Sequence, residues 1–362
     1  MSAESIAVET PPAETAGHAG HRSGERRALV SVNDLKKYFP IRGGLLNRTI
    51  ANVQAVDGIS FEVKRGETLG IVGESGCGKS TTARLLMRLI EPDSGDVIID
   101  GKRVGADGMS LRGMRRQMQM VFQDSFASLN PRLTIEDTIA FGPMVHGVPQ
   151  AEARTRARDL LAKVGLDPNL FIRRYPHELS GGQRQRINIA RALALEPKIV
   201  LLDEAVSALD KSVEAQVLNL LMDLKRDFEL TYIFISHDLH VVHYVSDRVL
   251  VMYLGQVVEI GPVDEIYASP RHPYTQALLS AMPSMDPDNR AEKPPLAGDP
   301  PNPINPPSGC RFHTRCPFAE DLCSKRSPTL ELVDAAAGQF AACHMTSPGS
   351  GHSKAPQKRA TA

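Results

Sequence analysis

The sequence predicts an α/β fold built on a mainly parallel sheet, and three observations carry that prediction. Lys198–Leu202 and Tyr232–Ser236 are short, continuous apolar runs, the pattern of strands buried on both faces. Gln183–Leu195 and Ser212–Phe228 place apolar residues at helical spacing between or beside them. A third apolar run, Thr68–Gly73, leads through a glycine-rich turn into helical spacing over Lys79–Ile90. Upstream, Leu29–Val32 and Ile59–Val63 alternate as strands do. Residues 126–178 carry helical patterns such as Gln150–Val164 and no strand, which predicts a helical subdomain at about 126–180.

The flanks read differently. Residues 1–27 and 346–362 are rich in small and polar residues without apolar periodicity, so both are expected to be disordered. Nine prolines between positions 283 and 308 exclude a packed helix or central strand there and predict a stiff, extended connector. The resulting plan is a sheet domain over 28–265, then a C-terminal region over 266–345 that holds four of the five cysteines. Lys plus Arg and Asp plus Glu both number 42, so nothing in the overall charge favours nucleic acid as a partner. No apolar run approaches the roughly 18 residues of a membrane helix, and the N-terminus lacks an apolar signal core.

Gly73-Glu74-Ser75-Gly76-Cys77-Gly78-Lys79-Ser80 satisfies G-x-x-x-x-G-K-[ST] and lies where the mechanism needs it, after a buried strand and opening a helix. Its backbone N–H groups can cradle phosphates, helped by the field of the helix N-terminus. Lys79 would reach the β- and γ-phosphates, Ser80 would ligate Mg²⁺, and Thr81 follows in the first helical turn. Cys77 reads as a filler, since only the backbone is used there. The chain therefore binds a nucleoside triphosphate. Asp203 and Glu204 end the run Ile199–Leu202; Asp203 suits the Mg²⁺ shell and Glu204 could orient or deprotonate an attacking water.

Twenty residues before Asp203 lies Leu179-Ser180-Gly181-Gly182-Gln183. Together with the P-loop and the acid pair it resembles the signature of ATP-binding cassette (ABC) ATPases. The resemblance implies an ABC-type nucleotide-binding domain, with a parallel sheet core, a helical subdomain and a small Cys-containing C-terminal extension. It implies that Gln123 couples nucleotide state to the membrane partner and touches Mg²⁺, that Asp210 ends the loop crossing the dimer interface, and that His237 is the switch histidine. Phe39, or its neighbour Tyr38, aligns with the aromatic that stacks on adenine. The signature at a helix start would bind the γ-phosphate held by another subunit's P-loop, so two cassettes must meet head to tail. Ala205 and Ser125 stand where proline is usual, which bears on loop rigidity and removes no catalytic group.

Arg271–Leu279, Leu296–Pro307 and Gly309–Pro317 narrow the resemblance to the ATPases of oligopeptide and dipeptide importers, over about residues 30–345. That subfamily also handles nickel, glutathione and some oligosaccharides. The implied partners are a second cassette subunit, two membrane permease subunits and an external substrate-binding protein. Importers of this kind commonly pair two different ATPases, which favours a paralogue. The implied location is peripheral, on the cytoplasmic face of the inner (plasma) membrane. A soluble cassette ATPase, a poorly hydrolysing regulatory subunit and an exporter ATPase are the competing readings.

Cys310, Cys316, Cys323 and Cys343 are separated by five, six and nineteen residues. Clustered cysteines without a secretory leader favour metal over disulfides. The gaps fit zinc templates poorly, and iron–sulfur centres tolerate more varied spacing. Members of the importer family carry such a cluster at the matching cysteines, so the resemblance implies [4Fe–4S], with zinc or free thiols as the alternatives.

Overall fold

The computed structural model describes residues 27–43, 47–105, 108–282 and 298–357. It opens on two long strands, β1 (Ala28–Gly43) and β2 (Arg48–Lys64), then the short β3 (Thr68–Val72) and α1 (Lys79–Leu86). β4 (Ser94–Ile99), β5 (Lys102–Arg103), α2 (Leu111–Gln117) and β6 (Met118–Val121) follow. The strand-free stretch holds α3 (Ile135–Val145), α4 (Gln150–Lys163) and α5 (Pro168–Phe171). α6 (Gly181–Leu193), β7 (Ile199–Asp203), α7 (Lys211–Asp227), β8 (Thr231–Ile235) and α8 (Leu239–Val245) alternate, and β9 (Arg248–Tyr253) and β10 (Gln256–Pro262) form a hairpin. The C-terminal region contributes α9 (Val263–Ala268), α10 (Pro273–Ser280), α11 (Asp321–Lys325), β11 (Glu331–Asp334) and β12 (Gln339–Ala341).

Two sheets result. β2-β1-β4-β5 is antiparallel throughout; β11-β12-β10-β9-β3-β8-β7-β6 is parallel from β9 to β6 and antiparallel beyond β9. The expected alternation at 29–32 and 59–63 is thus part of a much longer ribbon. Bulges interrupt its pairing between Val32 and Leu35 and between Lys37 and Tyr38, which breaks the period-two pattern that sequence reading depends on.

All five residues of β3, β7 and β8 are buried, because both faces of this sheet are covered. Leu201, Ile233 and Ile71 pack toward the antiparallel sheet with Leu29 and Val30. Their neighbours Leu202 and Phe234 pack on the other face with Leu221, Val242 and Ile187. Burying two such faces supplies the main driving force, at roughly 25 cal/mol per Å² of apolar surface.

The expected C-terminal extension joins the main sheet: β12 pairs with β10, Ile260 opposite Phe340. One expectation changes. Residues 346–357, expected to be disordered, fold back instead. His352 is buried and its ring bonds to the carbonyl of Phe318, Ser353 donates to Glu320, and Lys354 stacks over Phe318 at 3.9 Å. Composition missed this because a few polar anchors, not apolar periodicity, hold the segment. The arm expected over 1–27 lies outside the described residues except for Arg27, as does the connector up to residue 297. Residues 298–308 contain neither helix nor strand, and the carbonyl of Pro303 accepts from the backbone N–H of Gln54 at 3.0 Å. Among the described residues no helix is long and apolar enough to cross a membrane.

Candidate nucleotide site

Four adjacent parallel strands deliver the site. β3 runs into the P-loop, β8 into His237, β7 into Asp203 and Glu204, and β6 into Gln123. Parallel strands put all their C-terminal ends on one edge of the sheet, so residues distant in sequence converge there.

The loop between β3 and α1 is shaped by glycine. Gly73 and Gly78 have φ of +149° and +109°. A Cβ at either would lie 2.3 Å from a carbonyl oxygen, of Met252 and Ala55 respectively, so only glycine fits. Lys79 is buried, and its ammonium donates to the carbonyls of Gly73 at 2.7 Å and Glu74 at 3.0 Å. Cys77 is buried as well, and burial pushes its thiol up, as suits a filler rather than a nucleophile.

Ser80 donates to Asp203 Oδ1 at 3.2 Å. Burial pushes the Asp203 carboxyl up, the Ser80 bond opposes this, and the neighbouring Glu204 charge adds to it. A buried carboxylate beside a hydroxyl is a donor set suited to a divalent cation, whose charge would offset the burial. Glu204 has a left-handed φ of +48°. Its Oε2 accepts from Gln123 Nε2 at 2.8 Å and lies 3.4 Å from His237 Nδ1, so three sequence-predicted residues meet at one oxygen.

A cavity of about 420 Å³ opens over the P-loop, lined among others by Phe39, Val53, Ala55, Ser80, Thr81 and Glu204. Phe39 is the aromatic that lines it. The Tyr38 hydroxyl instead donates to Asp57, and burial with that bond pushes the phenol up to about 12. Pro303 of the connector also lines this cavity. Sequence reading missed Val53 and Ala55 on β2, and Pro303, which reaches the loop from over 220 residues away without a local signal.

None of Leu179–Gln183 lines this cavity. Ser180 caps α6, where Ser180 Oγ accepts from Gln183 N–H at 3.3 Å and Gln183 Oε1 accepts from Ser180 N–H at 3.0 Å. The box ties Gln183 to its own helix and leaves the N–H groups of Gly181 and Gly182 at the helix start. Asp210 stands exposed at the N-cap of α7 without a capping bond.

The four C-terminal cysteines are unbridged and line one cavity with Phe312, Phe318 and His352. Burial pushes the Cys343 thiol up to about 12, and Cys310, Cys316 and Cys323 add to the shift. Burial likewise pushes Cys310 up to about 11. The donor chemistry is that of a thiolate-bound group. Among the described residues, however, no three His, Cys, Asp or Glu side chains are arranged to hold a metal ion. His313 and His344 bond to the carbonyls of Cys310 and Arg326.

Residues 56–207 match the family described as ABC transporter, and residues 258–323 match the C-terminal region of oligopeptide/dipeptide transporters. The chain is 49% identical over 330 residues to an oligopeptide transport ATP-binding protein, AppF, of Bacillus subtilis, covering 90% of this chain and 99% of that one. It is 48% identical to a di/tripeptide transport ATP-binding protein, DppF, of Pseudomonas aeruginosa, covering 87% and 97%. Among solved structures it resembles cbiO1 of Clostridium perfringens, part of an ABC transporter complex, with TM-score 0.57, 28% identity and coverage of 67% and 91%. It also resembles an ATP-binding cassette solved as a dimer after hydrolysis with ADP and Pi bound, with TM-score 0.56, 29% identity and coverage of 65% and 98%. None of these descriptions names an iron–sulfur centre. With both its cassette and its C-terminal region matched, the chain belongs to the ATP-binding subunits of ABC transporters, in their oligopeptide/dipeptide branch, and is an ATPase.

Proposed function

We propose that this ATPase energises uptake of short peptides through separate membrane permease subunits, fed by an external binding protein. The observation that carries the reading is the C-terminal match over 258–323, which sets peptide importers apart from other cassettes. The subunit would sit on the cytoplasmic face of the inner membrane, held by its permeases and paired with a paralogous cassette.

The residues divide the work by chemistry. The loop Gly73–Thr81 takes the phosphates, with Lys79 turning from its loop carbonyls to the β- and γ-oxygens. Phe39 would stack on the adenine. Bound Mg²⁺, which would neutralise phosphate charge, would be held by Ser80, Asp203 and Gln123. Glu204 orients or deprotonates the attacking water; Gln123 and His237, both at its Oε2, fix it and read whether the γ-phosphate is present. Leu179–Gln183 and Asp210 act on the other subunit's nucleotide. The absence of signature residues from this chain's own P-loop cavity supports that arrangement.

The test is uptake of labelled di-, tri- and pentapeptides in cells whose only copy is wild type or Lys79→Ala. Loss of one length class in the variant is expected. Unchanged uptake, with the wild type hydrolysing ATP normally, would move the cargo to nickel, glutathione or a sugar.

We further propose that Cys310, Cys316, Cys323 and Cys343 hold a [4Fe–4S] cluster. Four unbridged thiols lining one pocket support it, Cys₄ being the ligand set of such clusters. Anaerobically purified protein should be brown, with about four iron per chain. Colourless protein, or protein loaded with zinc, would overturn the assignment.

A further inference from the structure

Two separate C-terminal segments hold the same P-loop residue. The phenol of Tyr274, near the start of α10, accepts from the backbone N–H of Glu74 at 2.8 Å. The guanidinium of Arg315 donates twice to the Glu74 carboxylate, at 2.8 and 3.1 Å. Arg315 is no loose surface partner, since its side chain is 5% exposed. Tyr253, which ends β9, braces both. Its ring centroid lies 4.6 Å from that of Tyr274, and its hydroxyl accepts from Arg315 at 3.4 Å.

Glu74 lies between Gly73 and Ser75-Gly76, and both glycines have positive φ, so little in the local chain resists a change of course. Its carbonyl also accepts from the Lys79 ammonium. A bond to the side chain and another to the backbone of one residue remove the freedom that the glycines leave. A donor loop held in its binding shape loses less entropy on taking up an anion. A purely structural ion pair would change folding and leave nucleotide affinity alone.

We propose that Arg315, together with Tyr274, is a positioning residue for the P-loop, making nucleotide affinity depend on the folded C-terminal module. This rests on the ATPase reading and deepens it. The module is then part of the nucleotide site: Arg315 directly precedes Cys316, so the segment that carries the first two clustered thiols also carries the clamp.

The experiment compares full-length wild type with Arg315→Ala, Arg315→Lys, Tyr274→Phe, Glu74→Ala and the Glu74→Ala/Arg315→Ala pair. Binding of a fluorescent ADP analogue and steady-state ATP hydrolysis are measured for each. Arg315→Ala should weaken nucleotide binding about tenfold and raise KM more than it lowers kcat, with partial rescue by Arg315→Lys. Tyr274→Phe keeps the ring packing and should weaken binding about threefold. The double variant should be no worse than Glu74→Ala alone, because both act through one contact. Folded Arg315→Ala and Tyr274→Phe proteins that bind nucleotide as wild type does would overturn the proposal. If Arg315→Ala fails to fold, Tyr274→Phe decides. A wild type that binds no nucleotide would instead sink the ATPase reading, and the clamp with it.

Discussion

Glu204 occupies left-handed backbone, a position that costs a non-glycine residue about 1 kcal/mol or more and persists where the surroundings impose it. Here its N–H donates to the carbonyl of Ile235 at 2.9 Å, and its carbonyl accepts from the Ser207 hydroxyl at the same distance. The carboxylate is thereby aimed along the sheet edge at Gln123 and His237. Glu204→Gln keeps the shape and removes the base. Turnover should fall at least about a hundredfold, and ATP should then trap stable dimers by gel filtration. Near-wild-type turnover in this variant would remove Glu204 from its role. The acid pair was legible because two carboxylates end an apolar run. The meeting of Gln123, Glu204 and His237 was legible only through family resemblance.

At the scale of elements, α10 shows how a buried cap can make stability depend on pH. His272 is its N-cap, and Nδ1 accepts from Tyr274 N–H at 3.0 Å. Full burial holds the imidazole down at about 3, so it stays neutral where an unfolded chain's histidine, near 6.5, would gain a proton. Its contribution to stability is complete above pH 6.5 and is lost as pH falls toward 3. His272→Asn keeps a capping acceptor that does not titrate. Between pH 7 and 4.5, urea unfolding should show wild type losing about 2–3 kcal/mol more than this variant. Equal losses would mean that His272 is not the titrating group. Sequence reading placed His272 in a family marker but gave no hint of its burial, which depends on Phe312, 5.7 Å away ring to ring.

For the whole molecule, none of Leu179–Gln183 lines the P-loop cavity, and the proposed function therefore completes the site with a second cassette. ATP turnover per chain should rise with protein concentration, or on adding the paralogue, before it saturates. Turnover independent of concentration down to dilute monomer would refute the two-chain site. The C-terminal region behaves as part of the same body. Glu259 on β10 is fully buried and accepts from Gln339 on β12 at 2.8 Å and from the backbone N–H of Arg271 and His272. Arg311 reaches across to Gln54, Asp57 and the carbonyl of Leu254, fixing the ribbon segment whose Val53 and Ala55 wall the nucleotide cavity.

The α/β class, the buried parallel strands, the phosphate loop and the acid pair are all legible along the chain. Each of these is a local pattern, set by period, glycine spacing or charge within a few residues. Tertiary structure decided what lies against what. It put Phe39 on the P-loop cavity and turned Tyr38 to Asp57. It carried β11 and β12 into the main sheet and seated the 346–357 segment on Phe318 and Glu320. It also put Pro303, Tyr274 and Arg315 against a loop more than 190 residues earlier in the chain. Such contacts leave no periodicity behind, because each depends on a single side chain or carbonyl whose partner is chosen only when the sheet closes.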